Sequence, residues 1–179
     1  MKRIIIFIAT IIACIGVSTV SLAQKKDRVE FIISVSKEAK VKKVQTIAIF
    51  LNGNNSLLTR IEEDVLGIIL TNAGFTVINR EILEKAVGEQ VAKKRKERKW
   101  GSVNALEIGK IVNADSILTG TVIIESNKKG LFSVSIASFQ LVDVLSGKTL
   151  INIFFESKER ISFSKIAMKV VAILKRNIE

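Results

Sequence analysis

The chain has no histidine, no tyrosine and no proline, with Cys14 its one cysteine and Trp100 its one tryptophan. Without histidine, Ser-His-Asp and Cys-His catalysis are excluded. Zinc, copper and haem sites of the usual kinds lack their ligands as well. Glycine is too dispersed, at Gly101, Gly109 and Gly120, to form a GxGxxG or P-loop phosphate cradle. Aspartate, glutamate and lysine are the acid–base groups that remain. The composition therefore points to no cofactor, no metal and no catalytic residue, and a non-enzymatic protein is expected. There is no internal repeat, low-complexity tract or interdomain linker.

What is present begins with an export pattern. Met1-Lys2-Arg3 is a positive n-region, Ile4 to Val20 is almost wholly apolar, and Ser21-Leu22-Ala23 places small residues where a signal peptidase cuts. The expected division is a signal peptide over 1–23, an N-terminal edge strand with a charged connector over 24–43, and one domain over 44–179. Two other readings of the start stay open: lipidation at Cys14, which follows Ile11-Ile12-Ala13, and an uncleaved apolar anchor. Cleavage after Ala23 removes Cys14, so the mature chain has neither thiol nor disulfide, which fits a bacterial envelope protein better than a small secreted scaffold. The net charge of +11, lowered by two when Lys2 and Arg3 leave, favours anionic lipid, cell-wall polymer or an acidic protein surface. Export argues against nucleic acid.

Along the chain, Arg28 to Val35 reads as an edge strand. Lys42 to Leu51 is a stronger strand ending at the turn Asn52-Gly53-Asn54-Asn55. Ser56 or Thr59 is placed to cap a helix that runs to about Ala73. Its stripe of Leu58, Ile61, Val65, Ile68 and Ile69 is expected to face the core, and Gly74 sits at the helix C′ position. Phe75 to Asn79 is a strand, and Arg80 opens a second helix. Val103 to Val122 is a short helix, with Ser102 as its expected N-cap, running into a strand from Ser116 to Ser126 in which Gly120 marks a bulge or a close backbone contact. Two further strands, Leu131 to Val144 and Thr149 to Glu156, follow hairpin turns. A parity switch in the first predicts a bulge near Ala137-Ser138. A helix from Lys165 to Arg176, capped by Ser164, closes the chain. The order β-β-α-β-α-α-β-β-β-α describes a single α/β domain, a mixed sheet packed by three to four helices.

Two charged stretches invite a functional reading. Glu62-Glu63-Asp64 resembles a hard-cation site, but consecutive helical positions fan around the axis, so a solvated helix face is expected. Lys93, Lys94, Arg95, Lys96, Arg98 and Lys99 with Trp100 read either as a solvated extension of the second helix or as a docking site for an anionic partner, with Trp100 as its aromatic anchor. Asp143 precedes a turn and is expected to orient Ser146-Gly147 through side-chain hydrogen bonds.

Three ordered segments carry a resemblance. Phe75-Thr76-Val77-Ile78-Asn79-Arg80, with Leu83 and Glu89-Gln90, is similar to an F-x-V-x-x-R … L … E-Q segment. Ala105, Gly109, Lys110, Ala114, Asp115 and Gly120 match A-x-x-x-G-K-x-x-x-A-D-x-x-x-x-G. Leu141-Val142-Asp143-Val144 with Ser146-Gly147 is similar to L-V-D-V-x-T-G. Together they resemble the CsgG family of bacterial envelope proteins, over about Val44 to Lys175. The resemblance implies an α/β domain at the periplasm or outer membrane, akin to the curli assembly and transport component, the LpoB-type activators of cell-wall synthases and the N-terminal part of TolB. These are binding and assembly modules, so it implies envelope-protein partners and homo-oligomers, with no catalytic residues to carry over. The long membrane-crossing hairpins of the channel-forming members have no counterpart at Asn127-Lys128-Lys129-Gly130 or from Ser157 to Ser164. A compact member without membrane-spanning hairpins is therefore expected. A pore-forming channel subunit and an activator of a cell-wall synthase are the alternatives.

Overall fold

A computed structural model describes residues 18–21, 29–78, 80–94, 105–126 and 132–178. Seven strands form one sheet: β1 (Ser18–Ser21), β2 (Val29–Val35), β3 (Thr46–Gly53), β4 (Thr76–Ile78), β5 (Ser116–Ser126), β6 (Phe132–Asp143) and β7 (Thr149–Ile161). Four helices accompany them: α1 (Ser56–Asn72), α2 (Arg80–Lys94), α3 (Ala105–Ile111) and α4 (Phe163–Asn177). The spatial order is β1-β2-β7-β6-β5-β3-β4. β3 runs parallel to β4 and β5, and every other pair is antiparallel. The mixed α/β sheet expected from the sequence is thus the observed architecture. Among the described residues no helix is long and apolar enough to cross a membrane. β1 falls inside the 1–23 segment and pairs with β2 from Ser18↔Val35 to Ser21↔Ile32; a chain cut after Ala23 would carry β2 at the sheet edge.

The two faces of the sheet are covered unequally. On one, Leu66 and Leu70 of α1 and Ile166, Val170 and Leu174 of α4 join Ile49, Leu51, Phe139 and Phe155 in the main core. On the other, Leu83 of α2 and Ile108 of α3 meet Ala48, Ile117 and Val144 in a smaller cluster near the β3–β5 pair. The rest of that second face carries no helix among the described residues.

The residues that carried the family resemblance prove to be scaffold. Asp115 Oδ2 accepts hydrogen bonds from the backbone N–H groups of Gln45 (2.9 Å) and Thr46 (2.8 Å), pinning the start of β3 beside β5. Asp143 is buried and its Oδ2 accepts from the Ser146 N–H (2.9 Å) and hydroxyl (2.6 Å), the turn-orienting role expected of it. Its Oδ1 lies 2.7 Å from Lys42 Nζ. Burial would raise the Asp143 pKa, but the hydrogen bonds from Lys42 and Ser146 outweigh it and hold the carboxyl below its ordinary range. Gly120 is a close backbone approach and not a bulge: a Cβ there would collide with the Ser138 carbonyl oxygen of β6.

Three local expectations are corrected. The β6 bulge lies at Ser135, between the pairs Ile123↔Ile136 and Ile124↔Val134, two residues before Ala137. Strand β7 continues five residues past Glu156, to Ile161. The N-cap of α1 is Asn55, whose side chain accepts from Leu58 N at 3.1 Å, in place of Ser56 or Thr59; an amide oxygen one residue before the helix reaches the N3 position that Ser56, already helical, cannot. Replacing Asn55 by alanine should cost about 1 kcal/mol in a urea unfolding titration, the usual value of a lost cap. At the other end Gly74 holds φ +99° just past the helix, as its position predicted. The expected cap Ser102 and the Asn127–Gly130 turn lie outside the described residues.

Candidate functional site

Of the residues singled out as a docking site, Lys93 and Lys94 form the C-terminal end of α2. Arg95, Lys96, Arg98, Lys99 and Trp100 lie outside the described residues. The structure draws attention elsewhere, to α1. Of the stripe expected to face the core, Leu58, Val65 and Ile69 are half-buried against it, but Ile61 and Ile68 are 50% and 62% exposed, and the most buried positions are Thr59, Glu62, Glu63, Leu66 and Leu70. The expectation that Glu62-Glu63-Asp64 forms a solvated face is overturned for the first two and holds for Asp64.

Glu63 is buried for a reason visible in the sheet. β4 has only three residues and its pairing with β3 ends at Ala48↔Ile78. Beyond that point the edge of β3 would present an orphan N–H inside the protein. Glu63 Oε1 accepts from the Leu51 N–H at 2.6 Å and so completes the strand edge from α1. Its Oε2 lies 3.2 Å from Arg80 Nε, but off alignment, with no hydrogen bond to that oxygen. Arg80, the first residue of α2, reaches across the uncovered edge; its guanidinium also sits 5.5 Å from the centre of the Phe50 ring. Glu84 extends the network, 3.7 Å from Arg80 and 3.0 Å from Arg60. Burial raises the Glu63 pKa, opposed by the Leu51 N–H and by Arg80, and the net shift is upward. Glu62 has neither strand edge nor cation to meet: burial raises its pKa to about 7, and its Oε2 has no hydrogen-bond partner.

Beside this pair lies a cavity of about 480 Å³ between α1, the β3–β4 edge and the start of α2. Ile49, Val77 and Gly67 form its apolar floor, Glu63 and Arg80 its polar wall, and the exposed Asp64 and Ile68 its rim.

The second surface feature is the bare part of the sheet. Ile32 of β2 pairs with Phe154 of β7, and Ile123 of β5 pairs with Ile136 of β6. These four side chains share the face opposite the main core, the two pairs lying diagonally to one another across β6 and β7, and each is between 36% and 56% exposed. Glu30, Ser34, Thr121, Ser138, Asn152 and Glu156 surround them. Among the described residues no group of three or more metal-ligating side chains is present.

No family model and no curated protein sequence matches the chain. Among solved structures the chain is similar to a PelC dodecamer from Paraburkholderia phytofirmans, with 16% identity and a TM-score of 0.51 over 84% of this chain and 96% of that one. It is also similar to the LpoB C-terminal domain of Salmonella enterica, at 18% identity and TM-score 0.45 over 65% of this chain and 85% of that one. A third is a lipoprotein from Neisseria meningitidis, at 21% identity and TM-score 0.41, covering 73% and 94%. At these identities what is shared with the PelC protomer is the fold: one sheet of mixed direction carrying helices, along nearly the whole of both chains.

Proposed function

We propose that the protein is a non-enzymatic module of the bacterial envelope, exported and held at the periplasm or the periplasmic face of the outer membrane, that works by assembling with copies of itself. The observation that carries this reading is the bare sheet face with Ile32, Phe154, Ile123 and Ile136 together in water. Two cross-strand apolar pairs, Ile32 with Phe154 and Ile123 with Ile136, lie diagonally to one another with Ser138 and Glu156 beside them, and an apolar centre ringed by polar residues is the form of a protein interface. The export pattern of residues 1–23 supports the compartment, and the fold shared with a protein that is a dodecamer supports self-assembly. The resemblance to the CsgG family extends the reading to assembly or transport of secreted protein at the outer membrane. A pore-forming subunit is less well supported, because β6 and β7 spend one full face of alternating residues on the core, leaving no second lipid-facing hairpin among the described residues. Activation of a cell-wall synthase uses the same kind of surface but a different occupant.

The test is native mass spectrometry of the full-length chain over a range of concentrations, so that β1 still covers the edge of β2. A discrete oligomer is the expected result, and Phe154→Glu and Ile32→Glu should each shift it to monomer while the far-ultraviolet spectrum is kept. A monomer at every concentration, or an oligomer that survives both substitutions, would overturn the reading.

A further inference from the structure

We infer that the outer surface of the α1–α4 layer docks on an anionic lipid bilayer, with the two helices lying along the headgroups. α1 and α4 pack side by side on the main core, so their exposed residues share one surface, on the side of the sheet opposite Phe154. On α4 that surface carries Lys165, Lys169, Lys175 and Arg176, with Met168 54% exposed among them. The helix has no acidic residue. Among the described residues none of its four cations is in an ion pair, and Lys169 Nζ lies 4.6 Å from the centre of the Phe31 ring of β2. On α1, Leu57, Ile61 and Ile68 recur at helical spacing along the outer side, between 50% and 67% exposed. Asp64 is the one exposed acid on either helix, and Arg60 is tied to Glu84 of α2. An apolar row on one helix therefore runs beside a basic row on the next.

A bilayer surface asks for both rows. Leucine, isoleucine and methionine standing free in water enter the boundary between headgroups and acyl chains, while cations beside them meet lipid phosphate. Lysine suits that place, since its methylene stem follows the apolar side chains down and its ammonium stays at the level of the phosphates. An acidic protein would be met by the basic row alone and would leave Leu57, Ile61 and Ile68 without a partner. The chain also brings a bilayer within reach. The apolar run that begins at Ile4 joins the fold at β1, β1 pairs with β2, and α4 sets Lys169 over β2. The apolar segment and the basic side of α4 thus meet the same edge of the sheet. The inference shares with the proposed function only the envelope location, because the oligomer surface lies on the other side of the sheet.

The test places an environment-sensitive fluorophore on Met168→Cys in the full-length chain, with Cys14→Ser leaving a single thiol, and adds vesicles. Vesicles of phosphatidylglycerol and phosphatidylcholine should shift its emission to the blue with saturation. Phosphatidylcholine alone should bind at least about tenfold more weakly, because each basic residue near an anionic surface contributes roughly fivefold. The same label at Thr121→Cys, on the opposite face, should not respond. Lys165→Gln, Lys175→Gln and Arg176→Gln together leave Lys169 on the Phe31 ring and should weaken binding roughly a hundredfold. Ile61→Ser with Ile68→Ser should weaken it about tenfold. All five positions are exposed, so the far-ultraviolet spectrum should be unchanged. Residues 1–17 are common to every chain compared, and insertion of that segment alone would give a response that ignores lipid charge. No shift with the anionic vesicles, an equal shift with phosphatidylcholine alone, or a shift kept by the triple glutamine variant would overturn the inference. Displacement of the vesicles by poly-L-glutamate, with binding untouched by the two serine substitutions, would overturn it in favour of an acidic protein. Phe154→Glu should leave the shift in place, so a failed oligomer and a failed docking surface are read separately.

Discussion

Glu63→Ala should lower the stability of the domain by about 1–3 kcal/mol, the cost of leaving a buried donor unsatisfied. Two separate losses contribute. The Leu51 N–H, which Glu63 Oε1 accepts at 2.6 Å, is left without a partner on a buried strand edge. Arg80 keeps its charge but loses the carboxylate 3.2 Å away. The variants should separate them. Glu63→Gln retains an acceptor for Leu51 and removes the negative charge, so it should lose less than the alanine variant. Glu63→Leu combined with Arg80→Leu should lie closer to wild type than the sum of the two single changes, because the pair leaves together. Guanidinium unfolding midpoints for wild type and the five variants check this. Additive single and double effects would mean that Glu63 and Arg80 act independently, and that the strand-edge bond to Leu51 accounts for the whole loss.

The architecture was legible in the sequence because its signals are local and repeated. Strand β5 is delimited to the residue, and the element order follows from alternating apolar runs separated by turn residues. Asp143 also read correctly, because an aspartate beside a turn has a short-range task in organising backbone N–H groups, whereas the bonds of Asp115 to Gln45 and Thr46, far away in sequence, carried no local signal. The face of α1 was legible only in part: Leu58, Val65 and Ile69 pack against the core, while Ile61 and Ile68 do not. Its apolar spacing at Leu58, Ile61, Val65, Ile68 and Ile69 is a regular helical stripe, and nothing within the helix says that two adjacent glutamates face inward. That is decided by the length of β4, three residues in a segment where five were expected, which exposes the edge of β3 to Glu63. A short edge strand is a tertiary fact, and the acid that completes it lies twelve residues from Leu51 in sequence. The one local hint was Arg80, placed in the F-x-V-x-x-R segment where a cation at a helix start opposes the macrodipole and therefore needs an anion close by. The bare sheet face was equally hidden, since alternating strands look alike whether or not a helix covers their second side.

Glu62 should make the domain less stable as pH rises. Its folded pKa of about 7 lies above the ordinary glutamate value of 4.5, and the cause is burial, with no charged group offsetting it. A carboxyl raised in this way binds a proton in the folded chain over a range where the unfolded chain has released it. Stability is then greatest below about pH 4.5, falls from there to about pH 7, and is level above that, the opposite of a carboxylate held by a salt bridge. The full difference corresponds to about 2–3 kcal/mol at pH 8. Glu62→Gln removes the titration, so it should unfold at nearly the wild-type urea midpoint at pH 4.5 and be more stable by about 2 kcal/mol at pH 8. A slope of the same sign should persist in that variant, because burial also raises Glu63. Asp143, whose pKa is lowered, contributes the other way and only in acid, where its stabilising bonds to Lys42 and Ser146 are lost as pH falls through its folded pKa. An equal gain from Glu62→Gln at pH 4.5 and pH 8 would mean that the side chain is accommodated without a buried charge, and that its unpaired Oε2 is solvated as the helix breathes.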